Sequence, residues 1–64
     1  RVTLTGNSEV WIENYRGILE YTGERILLQA RTCQVCLEGS RLSIDYYTNE
    51  DMKIRGNIVS LTYI

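Results

Sequence analysis

Val35-Cys-Leu-Glu-Gly39-Ser-Arg-Leu-Ser-Ile44 and Met52-Lys-Ile-Arg-Gly56-Asn-Ile-Val-Ser-Leu61 carry one pattern: two apolar residues at alternate positions, a glycine, then two more apolar residues at alternate positions. Leu19-Glu-Tyr-Thr-Gly23-Glu-Arg-Ile-Leu-Leu28 matches position for position, and Val2-Thr-Leu-Thr-Gly6 followed by Val10-Trp-Ile12 matches with one residue inserted after the glycine. Gly23 and Gly39 are 16 residues apart and Gly39 and Gly56 are 17 apart, while Tyr46 and Tyr63 each lie two places beyond the last aliphatic residue of their segment. This period is shorter than that of solenoid repeats and reads as tandem hairpins within one domain. Alternation with period two in each arm means strands with one buried face. Glycine as the first residue of a two-residue loop suits a type II′ turn, because that position needs a positive φ that only glycine adopts without strain. The pattern therefore predicts an all-β fold of about eight short antiparallel strands in four Gly-centred hairpins, with Gly23, Gly39 and Gly56 in the turns and positive φ at Gly39 and Gly56. Leu37 is then expected opposite Leu42 and Val35 opposite Ile44, with Glu38 and Arg41 as a charge pair on the reverse face. Short connectors leave little room for crossovers, so the strands are expected as a meander that closes as a small sandwich or barrel or is completed by oligomerisation.

Outside the repeats lie polar connectors: Glu13-Asn-Tyr-Arg-Gly17, Gln29-Ala-Arg-Thr32 and Tyr47-Thr-Asn-Glu-Asp51. Gly17 is expected to turn the first of them. Val, Ile and Thr supply 17 of the 64 residues (4, 7 and 6), and there is no Pro, a balance that favours strands. Glu24–Arg31 is the one stretch that could pass as a helix; eight residues make a marginal helix, and Ile26 and Leu28 already fit the hairpin frame. A chain of 64 residues is one domain, residues 1–64, able to bury roughly 60% of its unfolded surface. It starts at Arg1 without Met and stops within the alternating Leu61-Thr-Tyr-Ile64, which reads as a domain excised from a slightly longer chain.

Seven Lys and Arg against eight Asp and Glu give a net charge of −1, without the positive surplus that nucleic acid or an anionic membrane surface attracts. No apolar run reaches the roughly 18 residues of a membrane span. The absence of His removes the commonest general base and the Ser-His and Cys-His nucleophile pairs. Glu50 and Asp51 are adjacent in a polar stretch and read as solvated loop charges, and the isolated glycines do not form a phosphate-binding loop. Cys33 and Cys36 have the spacing of a redox dithiol or half a zinc knuckle, but a structural zinc site needs four Cys or His ligands. On a strand, residues three apart point to opposite faces roughly 10 Å apart, too far for a disulfide. Both cysteines are expected to be reduced, with Cys33 buried and Cys36 on the other face, which suits the cytosol. No catalytic residue, cofactor, metal or small-molecule substrate is expected.

If Val10 and Ile12 face the core, Trp11 faces away, and the same parity places Leu27, Cys36 and Ile58 on the second face. Trp11, Tyr15, Leu27, Tyr47 and Ile58 are the candidate interaction patch, since buried aromatic anchors dominate protein interfaces and a small sheet has edges to pair. Self-association or contact with another protein is the expected role.

Arg1-Val-Thr-Leu-Thr-Gly6, Ile12-Glu-Asn-Tyr-Arg-Gly-Ile-Leu19 and the closing Gly39-x-x-Leu-x-Ile44 with Met52-x-Ile-x-Gly56-x-Ile58 resemble the YabP/YqfC family of sporulation proteins. The resemblance covers nearly the whole chain, and Ile-Glu-Asn-Tyr-Arg-Gly looks closer to the YqfC branch. It implies an endospore-forming bacterium, expression in the mother-cell cytoplasm and a non-enzymatic role in sporulation, with another sporulation protein as a candidate partner and no site residue to carry over. The alternative is a small β-barrel that binds single-stranded nucleic acid by stacking bases on Trp11, Tyr15 and Tyr47, against which the dispersed, acid-interleaved cations speak.

Overall fold

The alternating apolar residues produce strands throughout. A computed structural model describing residues 1–64 has six: β1 (Val2–Thr5), β2 (Glu9–Glu13), β3 (Gly17–Tyr21), β4 (Arg25–Gln29), β5 (Gln34–Tyr47) and β6 (Asp51–Tyr63). There is no helix, so none is long and apolar enough to cross a membrane. All pairings are antiparallel and build one open sheet in the order β1-β2-β6-β5-β4-β3.

Two of the four expected hairpins are present. β1 and β2 turn at Gly6, which has φ 60°, and β3 and β4 turn at Gly23 with Tyr21 opposite Ile26 as expected, but a register shift beyond Glu20 then sets Ile18 opposite Leu28 and leaves Leu19, expected inside, 52% exposed. Gly23 takes no positive φ, so that turn is not type II′. The chain does not reverse at Gly39 or Gly56. β5 and β6 run straight through them, which reduces eight strands to six, and the reversal between them lies at Thr48–Glu50, in the stretch read as a connector. Leu37 is paired with Ile26 and Leu61, not Leu42; Val35 is paired with Leu28 and Tyr63, not Ile44; and Glu38 faces Arg25, not Arg41. Because β6 inserts between β2 and β5, the sheet is not a meander, and no ladder closes β1 onto β3.

Bulges replace the expected turns. The β5–β6 register shifts at Glu38/Gly39, Ser40/Ser43 and Ile44/Tyr46, and each extra residue reverses the side to which the following side chains point. Arg41 (φ 56°) takes the left-handed position expected of Gly39, whereas Gly56 does have positive φ, 146°. The two glycines serve close approach. A Cβ on Gly39 would run into the backbone carbonyl oxygen of Asn57, and one on Gly56 would lie 2.6 Å from the Arg41 oxygen and 2.9 Å from Leu42 Cα. The bulges free backbone donors, and the hairpin tips accept from them: Gly39 and Leu42 N–H donate to the carbonyls of Glu24 (3.0 Å) and Gly23 (2.8 Å), while Gly56 and Ile58 N–H donate to Ser8 (3.1 Å) and Asn7 (2.8 Å).

At this crease the sheet divides into equivalent halves. One contains β1, β2, residues 51–55 of β6 and 43–47 of β5; the other contains β3, β4, residues 34–38 of β5 and 60–63 of β6. Apolar rows Val2–Ile12–Met52–Tyr47 and Leu4–Val10–Ile54–Ile44 cross the first half, and Ile18–Leu28–Val35–Tyr63 and Tyr21–Ile26–Leu37–Leu61 cross the second. Each residue of one half is offset from its counterpart by the 16 or 17 residues of the sequence repeat. The eight central members are at most 2% exposed and join Leu42 and Ile58 in one core cluster. A flat sheet would leave both faces wet, so burial this complete requires the halves to bend toward each other with the rows inside. A groove of about 320 Å³ lined by Val2 and Ile12 from one half and Val35 and Tyr63 from the other marks where they meet.

Threonine closes two tips in the same way. Thr22 Oγ1 accepts from Glu24 and Arg25 N–H (3.2 and 2.9 Å), and Thr48 Oγ1 accepts from Glu50 and Asp51 N–H (3.2 and 3.0 Å), a side-chain turn that substitutes for a special backbone conformation. Thr48→Val is expected to cost about 1 kcal/mol, read as a lower urea midpoint, with Thr62→Val on an exposed strand position within about 0.5 kcal/mol of wild type. Equal midpoints for the two variants would remove the role assigned to Thr48.

Candidate interaction surface

β2 alternates Glu9, Val10, Trp11, Ile12, Glu13. With Val10 and Ile12 in the core, Trp11 stands on the outer face, half-buried, in the cross-strand row Thr3–Trp11–Lys53–Tyr46. Its indole is held from three sides. Nε1 donates to Glu9 Oε1 at 3.1 Å, Lys53 Nζ lies 5.4 Å from the ring centroid, and the Tyr46 ring packs at 6.1 Å with a 55° tilt. Lys53 Nζ is also 3.6 Å from Glu9 and 3.7 Å from Asp45, and Arg55 Nε is 3.7 Å from each of the same carboxylates. Two cations and two carboxylates therefore balance around a fixed aromatic pair. Each cation is thus already shared between two acids.

The other expected patch residues do not gather around Trp11. Leu27 is on the outer face of the other half, in the row Glu20–Leu27–Cys36–Thr62. Ile58, expected on the second face, is 6% exposed and belongs to the core, while Val59, expected inside, is 75% exposed. The shift between Glu38/Ser60 and Gly39/Ile58 leaves Val59 as the extra residue of a bulge, which turns it out and Ile58 in. Tyr47 is 67% exposed at the end of a core-side row. Tyr15 comes near it, donating its hydroxyl to the Thr48 carbonyl at 2.6 Å.

Glu13–Gly17 wraps the open end of the sheet. Asn14 is left-handed (φ 64°), Tyr15 N–H donates to Glu50 O (3.1 Å), and Arg16 N–H donates to Gln29 O (2.7 Å). The resulting concavity of about 480 Å³ is lined by Asn14, Tyr15, Arg16, Arg31, Asn49 and Glu50. Gly17 itself opens β3 rather than turning the chain. Cys36 lies on the outer face as expected but is buried there, a small side chain between Leu27 and Thr62, while Cys33, expected buried, is half-buried in the connector before β5. Both are free, and no three His, Cys, Asp or Glu side chains are gathered anywhere in the chain. Sequence parity found Trp11. It missed Tyr46, Lys53 and Glu9, because their approach depends on β6 entering between β2 and β5.

A family model described as the YabP family matches residues 1–64. The chain is similar to the uncharacterized protein YqfC of Bacillus subtilis (strain 168), 27% identical over 64 residues that make up all of this chain and 69% of that protein. No solved structure matches it.

Proposed function

The chain belongs to the YabP family, a sporulation-associated family, and on that premise we propose that it serves spore formation as a non-enzymatic β-sheet module that binds protein through the outer face around Trp11. The observation that carries this is the indole fixed between Glu9, Lys53 and Tyr46 while remaining partly open to solvent. An aromatic held in one conformation loses little entropy on binding, and Trp is enriched among residues that dominate interfaces. Tyr46, 50% exposed, extends the apolar area. Single-stranded nucleic acid is disfavoured because stacking on Trp11 and Tyr46 would find Lys53 and Arg55 already shared between Glu9 and Asp45. The free thiols fit a reducing compartment such as the mother-cell cytoplasm.

Trp11→Ala tests the proposal. Truncating an interface anchor of this kind costs about 2 kcal/mol or more, roughly a thirtyfold loss of affinity. The expected result is a variant with the wild-type circular dichroism spectrum that fails to retain its partner from sporulating cells and lowers spore yield. A folded variant with normal spore yield would reject the Trp11 face.

A further inference from the structure

Within residues 1–64, β1 and β3 are the two edges of the sheet, and they differ in kind. β3 is interrupted, with a register shift between Ile18 and Glu20, and Glu20 is engaged with Arg25 at 3.5 Å. A bulge and a charge are two devices that keep an edge from pairing. β1 has neither. Val2-Thr-Leu-Thr5 is regular, uncharged and free of Pro, and its Leu4 is 48% exposed.

The hydrogen bonding of β1 specifies what the edge offers. Glu13 N–H donates to Arg1 O (2.7 Å) and Arg1 N donates to Glu13 O (3.0 Å), so Arg1 and Glu13 form a bonded pair. In an antiparallel ladder bonded and non-bonded pairs alternate, so Thr3 and Thr5 also bond to β2, and the N–H and C=O of Val2 and Leu4 point outward.

At this edge, and independently of the Trp11 face, we propose that β1 pairs with β1 of a second copy, antiparallel about a two-fold axis through Thr3. That register sets Val2 and Leu4 opposite Leu4 and Val2 of the second copy as bonded pairs, which satisfies all the outward groups of both residues. It keeps like faces together, so the apolar row ending at Leu4 continues into the row beginning at Val2 of the second copy. Thr3 meets Thr3 of the second copy on the outer face, a favourable cross-strand pair. Arg1 meets Thr5, so no like charges oppose each other. Isologous pairing of this kind closes on itself and yields a dimer.

The two-fold register makes a charge-swap experiment decisive. Thr3 is exposed, so Thr3→Lys and Thr3→Glu leave the fold intact, checked by circular dichroism, yet each sets like charges face to face in its own dimer. By sedimentation equilibrium, wild type is expected at a mass about twice that of one chain. Either variant alone is expected to dissociate at least about tenfold more readily, and an equal mixture of the two should return to the two-chain mass. Leu4→Pro removes an outward N–H without touching a bond to β2 and should give single chains. Single-chain wild type, variants that remain paired, or a mixture that does not reassociate would each overturn the β1 pairing. If wild type is single-chain while Trp11→Ala still abolishes partner retention, the edge is rejected and the Trp11 face stands.

Discussion

Gly39→Ala is expected to lower the stability of the fold by about 3 kcal/mol or more. The new methyl group would meet the carbonyl oxygen of Asn57, with the Asn57 carbonyl carbon at 3.0 Å and Ile58 Cα at 3.2 Å behind it. These are backbone atoms of the paired strand, so no rotamer change relieves the clash. Only separation of β5 from β6 does, and that ladder joins the two halves of the sheet. Overpacking costs typically about 1–3 kcal/mol and more when nothing can yield, against a total stability of roughly 3–10 kcal/mol for a chain of this size. A loss of about 3 kcal/mol or more is the expected outcome in urea titration. Gly23→Ala supplies the contrast, since a Cβ there meets nothing within 4 Å and φ is not positive; its change should stay within about 1 kcal/mol. Similar losses at both positions would show that turn conformation, not strand approach, is what glycine provides.

Ile58→Glu is expected to be equally damaging, through a different cause. Ile58 is 6% exposed, packs in the core cluster and places its N–H on the Asn7 carbonyl at 2.8 Å. A carboxylate there has no partner inside, and burying an uncompensated charge costs several kcal/mol. Val59→Glu, one residue on but 75% exposed, should leave the denaturation midpoint within about 0.5 kcal/mol of wild type. A folded Ile58→Glu together with an unfolded Val59→Glu would invert the bulge and return Ile58 to the surface.

Much of the molecule was legible in the alternation alone. All-β class, antiparallel pairing and the core membership of Val10, Ile12, Ile26, Leu28, Val35, Leu37, Leu42, Met52 and Ile54 follow from period two, as does the outward Trp11. Strand number did not, for a specific reason. Leu37 and Leu42 are five apart, so the side that faces the core changes between them. A two-residue reversal and a bulge in a continuous strand both produce that change, and glycine suits either one. The true β5–β6 tip carries no glycine; its turn is made by the Thr48 hydroxyl, a weaker signal than an Asn-Gly or Gly-x pair. Ile58 and Val59 are both apolar, so pattern could not say which of them the bulge expels. The surroundings of Trp11 were hidden for another reason: Lys53 and Tyr46 are far away in sequence, and only strand order brings them alongside.

The two equivalent halves bear on how the chain acquires its structure. In a solenoid each repeat touches its neighbour and folding can spread from any point. Here each half combines one outer hairpin from residues 1–33 with segments of both β5 and β6, and the first half is joined by the ladder of β2 on β6 from Glu9↔Arg55 to Glu13↔Asp51. Residues 1–33 hold both outer hairpins and residues 34–64 hold the long pair between them, so neither fragment contains a complete half. The sequence is duplicated, but the folding unit is not. The β1–β2, β3–β4 and β5–β6 hairpins are local pairings, whereas the β2–β6 ladder closes a loop of about forty residues, the kind of non-local step that limits rate. Once that ladder is made, opening either half exposes the rows of the other, and the protein loses its structure as one body.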